Sequence, residues 1–274
     1  MKKIKAPAVL AAIMGILLLN SCFSFPGAGG GGFNPLSGVQ QSASNRISAE
    51  VASAAGLTGM TNKMMFNVVY SQVFYIGGFG ADTYELEETQ GAVWQIITTD
   101  EKNNSAKAET ERALLKKLPD GDQWWYLAWR EAGETYEYEA LMSKDMKAKK
   151  IRYYNADVKR VEEAVFKETA GASGGEETDP PQEPVSGSLE KDDLSVYMKG
   201  RETVRTNAGT FNADRLEWSG TDDDNVTTTY TWWVDPGVPG GLVKYQWIKS
   251  GSRESISGEL YSLKKGYSTK FGSY

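Results

Sequence analysis

Gln123-Trp124-Trp125-Tyr126-Leu127-Ala128-Trp129-Arg130 follows Pro119-Asp120-Gly121-Asp122 and precedes Ala132-Gly133. A Pro-Asp-Gly turn, an aromatic run and a second Gly turn describe a strand between two hairpin bends. Alternation puts Trp125, Leu127 and Trp129 on one face and Trp124 and Tyr126 on the other. Working outward, the same pattern recurs. Ala92–Thr99, Ala106–Leu115, Thr135–Met142 and Lys149–Tyr154 read as neighbouring strands, with loops short enough for antiparallel hairpins.

The second half repeats it in Leu194–Lys199, Glu202–Arg205, Phe211–Trp218, Val226–Val234, Leu242–Ile248 and Glu254–Leu263. In Val226–Val234, Tyr230 and Trp232 share a face with Val234. Thr227, Thr229, Thr231 and Trp233 take the other. Three further stretches are assigned by pattern. Ile47, Val51, Ala54 and Ala55 at helical spacing, with Ser44 or Asn45 as cap, predict a short amphipathic helix ended by Gly56 and Gly59. Met64–Ile76, β-branched and aromatic and stopped by Gly77-Gly78, predicts a strand apolar on both faces. Val158, Val161 and Val165 after Asp157 predict a second helix, over 157–168. Each half has too few strands for a sandwich of its own, so one continuous sheet is expected.

The chain opens differently. Lys2, Lys3 and Lys5 precede an uncharged apolar run from Ala8 to Leu19, too short for a membrane-spanning helix of about 20 residues. This is the layout of an export signal. It ends at Leu19-Asn20-Ser21-Cys22, and Cys22 is the only cysteine in 274 residues. The stretch resembles the lipobox of bacterial lipoproteins. That resemblance implies cleavage after residue 21 and acylation of Cys22, with the membrane as partner through the lipid. Residues 22–45, rich in Gly, Ser and Gln, read as a flexible tether. Residues 46–274 read as a single β-rich domain. An acidic Pro/Gly loop near 169–188 is expected to be disordered. Phe23 and Ser24 lack the Asp that marks inner-membrane retention in enteric lipoproteins, which points to the outer membrane.

Composition excludes chemistry. The sequence has no histidine, so His-based triads, His general bases and His-containing metal sites are absent. With Cys22 lipidated no thiol nucleophile remains. The formal charge is −6 and becomes more negative once the three lysines of the leader are removed, which argues against a nucleic-acid partner. Asp222-Asp223-Asp224-Asn225 clusters oxygens without EF-hand spacing and reads as a solvated hairpin loop, so neither metal nor cofactor is expected. Glu137 and Glu139 alternate on one strand face and read as solvent-facing. The protein is expected to be non-enzymatic.

Aromatics on the second faces leave one candidate site. Trp124, Tyr126 and Trp233 could line a cleft for a hydrophobic ligand if the sheet curls. The plainer account makes them packing residues at sheet ends. Finally, Ala208-Gly209-Thr210-Phe211, Tyr230-Thr231-Trp232-Trp233-Val234-Asp235 and Gly237-Val238-Pro239-Gly240-Gly241-Leu242-Val243-Lys244 resemble exported bacterial β half-barrel proteins, a group that includes the LolA/LolB-like lipoprotein-sorting proteins. That resemblance spans residues 200–263. It implies a mainly β fold, a single curved antiparallel sheet or half-barrel of about ten or more strands with one or two helices. It also implies binding of a lipid, a lipoprotein acyl chain or a partner protein in the envelope. The alternative is a structural or surface-interaction lipoprotein with a filled core.

Overall fold

The structure, a computed structural model, describes residues 58–74, 76–78, 86–131, 133–166, 194–221 and 225–274. The leader, Cys22, the tether, the helix expected near Ile47, the acidic loop at 169–188 and Asp222–Asp224 lie outside the described residues.

All the described strands join one open antiparallel sheet. Helix α1 spans Thr58–Phe74, and the strands are β1 (Gln90–Thr99), β2 (Ser105–Lys117), β3 (Gln123–Glu131), β4 (Glu134–Met142), β5 (Ala148–Asn155), β6 (Arg160–Val165), β7 (Met198–Thr206), β8 (Gly209–Thr221), β9 (Thr227–Val234), β10 (Leu242–Lys249) and β11 (Ser255–Lys265). Their order is β6-β5-β4-β3-β2-β1-β11-β10-β9-β8-β7. Two meanders therefore meet at a β1–β11 seam that runs from Gln90↔Lys265 to Thr99↔Ser255. The outer edges are β6 and β7. Cα atoms of β7 nonetheless come within 8 Å of Cα atoms of β10 and β11. A flat sheet would hold β7 and β10 about 14 Å apart, so this end is rolled. The mainly β, single-sheet reading of the sequence is what the chain adopts.

Two local expectations were wrong, for related reasons. Met64–Ile76 is not a strand, because Thr58–Phe74 is helical. Its buried residues Phe66, Val69 and Val73 recur at intervals of three and four, with Phe74 beside them, and the helix lies against β2, β3 and β4. A run apolar on most positions satisfies both periods, so alternation alone could not decide it. Conversely, 157–168 is not a helix. Asn155–Arg160 is a hairpin bend and Arg160–Val165 is edge strand β6. With only one neighbouring strand and no cover among the described residues, its valines carry no two-period signal strong enough to override the apparent helical spacing.

Helix α1 is fastened at both ends. The Tyr138 hydroxyl donates to the Asn62 carbonyl at 3.2 Å and the Tyr70 hydroxyl to Met146 O at 2.9 Å. Buried Arg112 donates to Val73 O at 2.9 Å, satisfying a last-turn carbonyl and placing positive charge at the helix C-terminus. The chain then turns at Gly77, whose φ of +59 is left-handed and whose carbonyl accepts from Trp232 Nε1 at 2.6 Å. A Cβ here would lie 2.4 Å from the Tyr245 ring, and one on Gly258 would lie 2.1 Å from it. Tyr245 is wedged between two residues that have to lack side chains. Around it Trp94, Trp232, Trp247 and Leu260 make the core of the β7–β11 half. The helix, Trp125, Leu127, Trp129 and Ile151 make the core of the β1–β6 half.

Candidate functional site

The face of β2–β5 turned away from α1 holds most of the polar chemistry of the described residues. β2 presents Glu109 and Glu111, β3 presents Trp124, Tyr126 and Arg130, and β4 presents Glu137 and Glu139. The register Glu109↔Arg130 and Tyr126↔Glu139 brings them side by side. Acidic residues flank an aromatic and cationic centre strand, an arrangement that cross-strand pairing favours.

Residues 266–274 lie across this face as a strap. They leave β11 at Gly266, φ +82, and Tyr267 N donates to Thr89 O at 3.1 Å. Fully buried Glu139 accepts from Thr269 Oγ1 at 2.8 Å, from Phe271 N at 3.3 Å and from Lys270 N. Half-buried Glu137 accepts from the Tyr126 hydroxyl at 2.5 Å and from Lys270 Nζ at 3.0 Å. Buried Glu111 accepts from the Tyr267 hydroxyl at 2.5 Å, Arg130 at 2.6 Å and Lys264 at 3.0 Å. Arg152 donates to Ser273 O at 2.6 Å. These are charge-assisted bonds to a carboxylate or from a guanidinium, among the stronger polar contacts a protein makes. The solvent-facing assignment of Glu137 and Glu139 is thus corrected. Alternation placed them on the right face, but the strap that covers them lies 130 residues away in sequence.

The electrostatics follow from that cover. Burial pushes the Glu111 carboxyl up, but the hydrogen bonds from Tyr267, Arg130 and Lys264 outweigh it and hold the group below its ordinary value. Glu137 behaves alike: burial raises it, while Tyr126 and Lys270 bring it lower overall. The Tyr126 and Tyr267 phenols are pushed well up by burial and by the carboxylates they donate to, so both stay protonated donors.

The proposed ligand residues take the following places. Trp124 and Tyr126 are buried beneath the strap. The Arg152 guanidinium sits 4.2 Å from the Trp124 ring centre and the Tyr274 ring 6.4 Å away. Lys270 Nζ lies 4.5 Å from the Tyr126 ring and the Tyr267 ring 6.1 Å from it. Trp233 occupies the same sheet face by register but five strands away, on the order of 24 Å along the sheet at 4.8 Å per step. Its indole N–H donates to Glu202, and Lys244 lies 5.2 Å from its ring. The structure unites Trp124 with Tyr126 and leaves Trp233 apart. An open depression at the far ends of β2–β4, lined by Lys107, Glu109, Arg130, Glu131 and Glu134, is charged and does not suit an acyl chain. Sequence reasoning missed Glu111, Tyr267 and Lys270. Their one visible signal was the aromatic and basic Tyr267-Ser268-Thr269-Lys270-Phe271 beyond the last strand.

No family model and no curated protein matches the chain. Solved structures do. A Bacteroides fragilis protein with a YmcC-like fold, provisionally classed as exported, is 12% identical, with a TM-score of 0.35 over 66% of this chain and 98% of that one. MucB in its Pseudomonas aeruginosa complex with MucA is 11% identical, with a TM-score of 0.34 over 66% of this chain and 54% of that one. A Vibrio parahaemolyticus domain provisionally assigned to outer membrane lipoprotein sorting is 11% identical, with a TM-score of 0.27 over 69% and 90%. Likeness at this level carries no argument about what the chain binds.

Proposed function

We propose that this chain is a lipid-anchored cell-envelope protein that works by binding a protein partner and catalyses no reaction. The observation that carries the anchor is Leu19-Asn20-Ser21-Cys22 at the end of a Lys-led apolar run. Two or three acyl chains on Cys22 hold a protein firmly, since each buried CH₂ contributes about 0.8 kcal/mol. Residues 22–45 then act as the tether, and the outer membrane is the address that Phe23-Ser24 favours. The absence of histidine removes the commonest general base and leaves the carboxylates. The described glutamates that cluster, Glu109, Glu111, Glu137 and Glu139, are engaged by lysine, arginine, tyrosine or backbone donors.

Among binding readings, packing favours a protein partner over a free lipid. α1 lies on one side of β2–β4 and the strap on the other, and Trp124 and Tyr126 are covered. An acyl chain reaches these rings only where the strap is displaced. Two measurements test the proposal. Mass spectrometry of native mature protein should give a lipid-modified peptide beginning at Cys22, and an unmodified thiol on an intact precursor would end the anchor reading. Fatty-acid titration should leave Trp emission of the full mature chain unchanged. Saturable quenching that is lost in Trp124→Ala would instead restore the lipid-carrier reading.

A further inference from the structure

The two edges of the sheet are built differently. Edge β7 is blunted in the ways proteins commonly use: Lys199, Arg201 and Arg205 along it, a register break between Met198 and Gly200, and a roll toward β10 and β11. Edge β6 carries charges too, Arg160, Glu162 and Glu163, but among the described residues it has neither the register break nor the roll. Its hydrogen-bonding phase is set by Phe166 N, which donates to Lys149 O at 2.9 Å. Residues 160, 162 and 164 therefore turn their backbone groups to β5, and Val161, Glu163 and Val165 turn theirs outward. Val161 and Val165 are 42% and 57% exposed, and Tyr154, paired with Val161 on β5, is 55% exposed. The charges of this edge are already neutralised within the chain. Arg160 pairs with Glu162 at 3.0 Å, and Glu163 with Arg152 at 3.0 Å and Lys150 at 2.8 Å. Among the described residues, no uncompensated charge on β6 repels an incoming strand.

We infer that β6 is a self-association edge, pairing antiparallel with β6 of a second copy of this chain about a two-fold axis at Glu163. The strand is self-complementary in one register. With Glu163 opposite its own copy, Val161 faces Val165 of the other copy, twice over, and all outward backbone groups meet in phase. Each valine finds a β-branched cross-strand partner. Each Glu163 stays between the Lys150 and Arg152 of its own copy, so the central like-charge pair is compensated. Moving the axis to Glu162 sets Val161 against Glu163 and Val165 against Lys159 and loses both valine pairs. A symmetric contact of this kind closes as a dimer and cannot propagate from this edge. One strand pair buries little surface, so the dimer is reversible in solution.

The test uses the full mature chain carrying Cys22→Ser, which has no other cysteine. Sedimentation should show a concentration-dependent monomer–dimer equilibrium. Val161→Lys with Val165→Lys should shift it to monomer with no change in melting temperature, because both side chains are exposed. On mild oxidation Glu163→Cys should form a disulfide dimer, since facing residues of such a pair are about 5.5 Å apart at Cα, within disulfide range. Glu162→Cys should form far less. A monomer at every concentration up to about 1 mM, weaker than any specific contact of interest, overturns the inference. So does a dimer indifferent to the lysine pair, or equal cross-linking of the two cysteine variants.

Discussion

At the scale of single residues, the least replaceable positions carry no side chain. Gly77 and Gly258 are far apart in sequence and both lie against the Tyr245 ring. Gly258→Ala should destabilise the protein by about 1–3 kcal/mol, the usual cost of overfilling a close-packed site. Thermal melts check this, and Tyr245→Leu in the same chain should recover part of the loss. An unchanged melting temperature in Gly258→Ala would mean that the ring has room it does not show. Nothing in the sequence announced this wedge. Gly258 reads there as an ordinary weak spot in a strand, and the ring that requires it is defined only by the β10–β11 register. Trp124 and Tyr126 were assigned correctly to the second face because alternation within one strand is local. What covers them is not local.

At the scale of elements, the C-terminal strap is the part whose stability depends most on proton concentration. Glu111 and Glu137 sit below the ordinary carboxylate value in the folded chain. Their contribution is therefore complete above the unfolded value of about 4.3 and is lost as pH falls through their depressed folded values. The melting temperature should fall on acidification below about pH 4.5. Glu111→Gln should lower it at neutral pH by removing charged hydrogen bonds worth about 1–3 kcal/mol, and should flatten the acid slope. A slope unchanged in Glu111→Gln would move the acid sensitivity elsewhere. At this scale the strands were legible in the sequence, since hairpin bends such as Leu118–Asp122 are encoded within a few residues. Helix α1 was not, because its apolar residues fit two periods until a sheet is present to select one.

At the scale of the whole molecule, one sheet was foreseeable from strand number, but its order was not. Among the described strands, those adjacent in sequence pair everywhere except β6 and β7, and the single pairing between strands distant in sequence, β1–β11, determines the rest. It also turns the segment between β6 and β7 into a bridge. Neighbours alternate in direction across eleven strands, so β6 and β7 run the same way from opposite rims, and the chain has to cross both the sheet and the length of a strand. Even with β7 folded back beside β11, six strand steps, on the order of 29 Å, separate the rims. Removing residues 169–188 would leave about seven residues between Phe166 and Leu194, a reach on the order of 28 Å at full extension, short of a path that crosses both that width and the length of a strand. The acidic Pro/Gly segment thus has a minimum length. Its replacement by Gly/Ser of equal length should leave the melting temperature in place, whereas its deletion should detach a rim and expose it to protease; equal tolerance of both changes would show that the rims lie closer than the strand order implies.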